Sequence, residues 1–79
     1  MPTLLLQDGY RFFFCSNENN EPAHIHVKKG DGEGKIWLEP ALRIGWIHGF
    51  TNREENAILQ IVNNFAEQFK TNWYEYFGE

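Results

Sequence analysis

Cysteine occurs once, at Cys15, so no internal disulfide is available, and a lone thiol predicts an intracellular, cytoplasmic setting. Cys15 follows Phe12, Phe13 and Phe14, company that suits an inert, half-buried thiol better than a nucleophile. Long apolar runs are missing too. Leu4-Leu5-Leu6 is far too short for a leader or a membrane span, and no basic region precedes it. Positive charge is scarce: seven Lys and Arg stand against eleven Asp and Glu, a formal net charge of −4. That balance argues against a nucleic-acid binder driven by counterion release and favours a basic partner. Lys28, Lys29 and Lys35 cluster weakly, interrupted by Asp31 and Glu33, and the C-terminal third is acidic.

Aromatics, by contrast, are plentiful: seven Phe, three Tyr and three Trp in 79 residues. A chain of this length makes one domain and buries roughly 60–65% of its unfolded surface. Some of those rings are therefore expected at the surface, where Trp and Tyr often mark partner contacts.

Apolar residues alternate over 3–6, 10–15, 23–29, 35–39 and 42–47, which predicts five short strands. Asp8-Gly9 between the first two is a hairpin signal. Ser16-Asn17-Glu18-Asn19-Asn20-Glu21 reads as a polar connection, and Gly30-Asp31-Gly32-Glu33-Gly34 as a glycine-rich turn. That turn has no helix behind it and carries two acids, so a hairpin explains it better than a phosphate cradle. Thr51 with Glu54 forms a capping box, and Ile58, Ile61, Val62, Phe65, Phe69 and Trp73 make one stripe. One amphipathic helix over 52–77 follows, stopped by Gly78. The predicted fold is α+β: a small, mostly antiparallel sheet of four to five strands with one long C-terminal helix on one face.

The chemistry concentrates in Glu21-Pro22-Ala23-His24-Ile25-His26-Val27-Lys28-Lys29. On a strand His24, His26 and Lys28 share one face, and Ile25 and Val27 the other. Pairing Val27 with Ile36 and Ile25 with Leu38 sets Trp37 opposite His26, Glu39 opposite His24 and Lys35 opposite Lys28. In that register Glu39 favours the charged form of His24.

Three readings of the pair stay open. Two imidazoles on one strand face can chelate a divalent metal, but zinc in a catalytic site wants a third protein ligand; Glu39 and Glu21 are the nearest by sequence. His24 or His26 can shuttle a proton, with Glu39 orienting it, although no Ser or Thr stands out as nucleophile. The structural alternative packs both rings on Trp37 and hydrogen-bonds them locally. Arg11 and Arg43 suit a phosphate or carboxylate, or an ordinary ion pair. His48 beside Gly49 reads as a turn residue, and Glu54 and Glu55 as helix-capping acids.

His-Ile-His-Val departs from the histidine-triad hydrolases, because Lys28 stands where their third histidine falls. It departs from cupins because the next acid, Glu33, comes too late. Met1-Pro2-Thr3, Tyr10-Arg11-Phe12-Phe13-Phe14, Ser16-Asn17-Glu18 and Glu21-Pro22-Ala23-His24-Ile25-His26-Val27 resemble a small bacterial family called domain of unknown function 4160. Gly49-Phe50 ahead of the helix and Trp73-Tyr74-Glu75-Tyr76-Phe77 extend the resemblance over essentially the whole chain. Ala23 stands where that family commonly has a second proline, a departure that loosens the entry to the strand. The resemblance implies no established activity; it implies a partner encoded nearby, in a toxin–antitoxin or similar two-gene module.

Two functions are therefore expected as alternatives. One is a cytoplasmic protein-interaction module contacting a small protein through Trp37, Lys28, Arg11 and Trp73, with homodimerisation left open and no membrane role. The other is a metal-dependent or acid–base phosphodiesterase or RNase using His24, His26 and Glu39. The first needs no cofactor; the second admits a divalent metal on His24 and His26.

Overall fold

A computed structural model describes residues 3–15 and 20–78. The Ser16-Asn17-Glu18-Asn19 part of the expected polar connection lies outside them. Five strands form one antiparallel sheet: β1 (Thr3–Gln7), β2 (Tyr10–Phe13), β3 (His24–Lys29), β4 (Gly32–Trp37) and β5 (Arg43–His48). They lie in sequence order, so each strand pairs with its chain neighbour. Asp8 and Gly9 turn the first hairpin with φ of 56° and 85°, the left-handed pair that matches the twist of the flanking strands.

The β3–β4 register differs from expectation by two residues. His24 pairs with Trp37, Ile25 with Ile36, His26 with Lys35 and Val27 with Gly34. Faces are unchanged, since two residues is one full period, but Glu39 loses its place opposite His24. The cause is the turn, which is Gly30-Asp31 alone; Gly32 and Gly34 belong to β4. A Cβ on Gly32 would lie 2.4 Å from the Phe50 ring, so glycine is there for packing and not for turning.

Two helices follow, α1 (Asn52–Asn64) and α2 (Ala66–Phe77), where one was expected. At α1 the Thr51 Oγ1 accepts from the Glu54 amide at 3.1 Å, and the Thr51 amide donates to the Glu54 carboxylate at 2.8 Å. Phe65 separates the helices at φ −110° and ψ 13°. An unbroken helix over 52–77 would run about 39 Å. The longest strands, of six residues, cover only about 20 Å. The break at Phe65 keeps Ile58, Ile61 and Val62 of α1 and Phe69 and Trp73 of α2 buried against the same sheet.

The core lies between that helical layer and one sheet face. Phe12, Phe14, Ile25, Val27, Ile36, Ile58, Val62 and Phe69 are all essentially inaccessible. Phe12 of β2 meets Phe69 of α2 with ring centroids 5.7 Å apart. Burial of each such side chain contributes about 1.5–3 kcal/mol, the main source of stability in so small a domain. No helix among the described residues is long and apolar enough to cross a membrane.

Candidate functional site

His24 opens β3 and has no exposed surface. Its Nδ1 lies 2.9 Å from the Pro22 carbonyl. A carbonyl can only accept, so Nδ1 carries the proton there. The ring sits among three others: Trp37 at 5.3 Å, Trp73 at 4.8 Å and His26 at 5.2 Å between centroids. The Glu21 carboxylate lies 3.8 Å from Nδ1 and reaches Lys35 Nζ at 2.7 Å. His26 is 7% exposed and stacks on Phe13 at 5.7 Å and 23°.

Glu39, expected beside His24, lies beyond the end of β4. Its amide donates to the Ala23 carbonyl at 3.3 Å, and its carboxylate accepts from the Tyr74 hydroxyl. Trp37 takes the place opposite His24. Trp73, a candidate contact by sequence, is 2% exposed; besides His24 it packs on Phe14 at 5.3 Å and Phe77 at 4.2 Å. Among the described residues no group of three His, Cys, Asp or Glu side chains is placed to hold a metal ion.

The sheet face away from the helices carries rows of side chains set by the strand pairing, because residues directly opposite share a face. One row crosses all five strands: Thr3, Phe13, His26, Lys35 and Trp46. Beside it run Leu6, Arg11, Lys28, Glu33 and His48. On the other side lie Trp37 and Arg43, with their pairing partner His24 covered at that end by Trp73 of α2.

Cations rest on the rings of this face. The Arg11 guanidinium is 4.4 Å from the Phe13 centroid, and its Nε donates to Thr3 Oγ1 at 2.7 Å. Lys35 Nζ lies 4.3 Å and the Arg43 guanidinium 5.5 Å from the Trp37 centroid. Such contacts contribute about 0.5–1 kcal/mol each at exposed sites and fix where the charge sits. Trp46 stacks on His48 at 5.6 Å and 14° and stays 42% exposed.

The arrangement thus gathers Arg11, Lys28, Trp37 and His26, named from sequence, onto one face. Lys35, expected opposite Lys28, and Phe13, on the Arg11 face of its strand, join them, and β5 adds Arg43 and Trp46, which sequence reasoning did not place on this face. The signal was present in the spacing. Arg11 and Phe13, His26 and Lys28, Lys35 and Trp37, and Trp46 and His48 are each two apart, the repeat that puts both members on one strand face.

Comparison with known proteins returns no matching curated protein and no matching solved structure. A family model described as Domain of unknown function (DUF4160) matches residues 9–74, which takes in the β2 aromatics, the His24–His26 strand, both helices' buried stripes and Trp73. The chain belongs to that family, DUF4160.

Proposed function

We propose that this protein is a non-catalytic interaction module, acting in the cytoplasm with a second small protein in a two-gene, toxin–antitoxin-like system. The observation that carries the reading is on α2. Tyr74 and Tyr76 are 37% and 47% exposed, while Trp73, just before them on the same helix, is buried. Glu75 lies between them in the sequence and Glu67 earlier on the same helix, and the fold brings the Glu39 carboxylate to accept from the Tyr74 hydroxyl. Exposed tyrosines among acids suit a basic partner with an apolar tip.

The competing reading, a phosphodiesterase or RNase built on His24, His26 and Glu39, asks an imidazole to reach substrate. His24 is sealed by Trp37 and Trp73, and Glu39 is committed to Tyr74. Co-expression with the product of the adjacent gene tests the proposal. Co-purification that is lost in a Tyr74→Ala, Tyr76→Ala double variant of unchanged melting temperature is the expected result. Hydrolysis of RNA by the chain alone, abolished by a folded His26→Gln variant, would overturn it. Size-exclusion chromatography of the same samples gives the oligomeric state.

A further inference from the structure

We propose that the open sheet face binds single-stranded RNA. The chain is acidic overall, but Arg11, Lys28, Lys35 and Arg43, four of its seven Lys and Arg, lie on this one face. The carboxylate on its paired rows is Glu33, with Glu21 reaching Lys35 from the edge. Of the other described carboxylates, Glu54, Glu55, Glu67 and Glu75 lie on the helices, Asp8 and Asp31 in hairpin turns, and Glu39 is bonded to Tyr74 of α2. A net charge averages surfaces that the fold separates, and binding reads the local field.

Rings supply the second half of the recognition. Phe13, Trp37 and Trp46 stand on β2, β4 and β5, and neighbouring strands are about 4.8 Å apart, so Phe13 and Trp46 are separated by about 14 Å across the sheet. Open sheets that bind single-stranded RNA stack about two or three bases on aromatic side chains over such a span. Of these three rings Trp46 is the most exposed. The Arg11 guanidinium, over the Phe13 ring at 4.4 Å, extends that platform, because guanidinium planes stack on bases as rings do. Its remaining N–H donors, with Lys28, Lys35 and Arg43, meet phosphates.

Glu33 decides between ribose and deoxyribose. Set opposite Lys28 and beside His48, its carboxylate can accept a hydrogen bond from a ribose 2′-hydroxyl, a donor that DNA lacks. Duplex RNA is a poorer fit, since its bases are not free to stack on a sheet. This surface is distinct from the Tyr74–Tyr76 tract proposed for the protein partner, so the two proposals stand or fall separately.

Fluorescence anisotropy of a fluorescein-labelled uridine dodecamer, titrated with the full chain at several salt concentrations, tests the assignment. Saturable binding with a slope of log K against log salt of about −3 is expected, from four phosphate contacts on a single strand. Trp46→Ala is expected to weaken binding about tenfold or more. Arg43→Gln and Lys28→Gln, both exposed positions, should each reduce the slope by roughly 0.7 and carry the test if Trp46→Ala fails to fold. Arg53→Gln on α1 and the Tyr74→Ala, Tyr76→Ala pair should leave affinity unchanged. The assignment is overturned by absence of saturable binding, by a slope near zero, or by equal binding of a thymidine dodecamer or of polyglutamate. Equal losses at Arg53 and Arg43 would overturn it as well, because the charge would then act from no particular face.

Discussion

The first residue of β3, His24, and the eighth of α2, Trp73, meet ring to ring at 4.8 Å. The contact joins the start of the central strand to the C-terminal helix, and it uses the chain's most reactive-looking side chain as packing. His24 holds the corner by a hydrogen bond to the Pro22 carbonyl and by the two indoles around it.

That role predicts a hierarchy of losses. Trp73→Ala should cost about 3–5 kcal/mol, as removal of a fully packed aromatic usually does. A chain of this length holds roughly 4–12 kcal/mol in total, so the variant sits near the unfolding threshold. His24→Ala should cost less than Trp73→Ala but more than His24→Leu, which refills the volume and forfeits only the hydrogen bond. Urea unfolding followed by tryptophan fluorescence ranks the three. Equal midpoints for His24→Ala and wild type would remove His24 from the core.

Gly32 and Phe50 form a lock between β4 and the entry to α1. Gly32→Ala places a methyl 2.4 Å from the Phe50 ring, and an overpacked site of this kind costs about 1–3 kcal/mol. In a Phe50→Leu background the clash disappears and the cost should fall by more than half. A double-mutant cycle measures the coupling; additivity of the two changes would contradict it.

The capping box at α1 should behave as an independent unit. Thr51→Ala removes the acceptor for the Glu54 amide and is expected to lower stability by about 1 kcal/mol. In a domain of this size that is a fall of about 4–8 °C in melting temperature. A Thr51→Ser variant keeps the oxygen and should recover most of it.

Tyr10 makes the fold sensitive to alkali. Burial, then the charges of Glu54 and Asp8, raise its pKa above the ordinary 10.0. A raised pKa means the folded state holds this proton more tightly than the unfolded chain does. The stability contributed is complete below pH 10 and is lost as pH climbs through the folded value. Unfolding midpoints from pH 8 upward should therefore fall above about 10 in the wild type and fall less in Tyr10→Phe. Parallel curves for the two proteins would place the alkaline loss on another group.

Much of the architecture could be read from the residues because local rules agreed with one another. The period-2 alternation over 10–15 marked β2, and that of Ile25 and Val27 marked the inner face of β3. Asp8-Gly9 marked the first hairpin and Thr51 with Glu54 the helix start. Where the reading went astray, packing had overruled composition. Gly32 and Gly34 looked like turn because glycine suits turns, yet they are thin so that Phe50 and Ile47 can approach. The stripe from Ile58 to Trp73 kept one face throughout, so periodicity alone did not show a break at Phe65. The hint was Asn63-Asn64, poor helix formers that favour helix ends. The site was harder, because a recognition face is a property of four strands at once. Pairs such as Lys35 and Trp37 were visible singly, but only the correct register lines them up with Phe13 and Arg43.

A sheet whose strands lie in chain order has a kinetic consequence. Every ladder closes a short loop, so the five strands can zip from hairpin to hairpin without waiting for a distant partner, which favours fast folding. The helices are different. Phe69 and Trp73 must return across most of the chain to reach Phe12 and His24, loops far longer than any that the strand ladders close. A nascent chain would therefore carry its sheet first, with Phe12, Phe14, Ile25 and Ile36 uncovered until the last turns of α2 arrive. In this fold the C-terminal aromatics act as the clasp, and the interval before they fasten is when the protein is most exposed to aggregation.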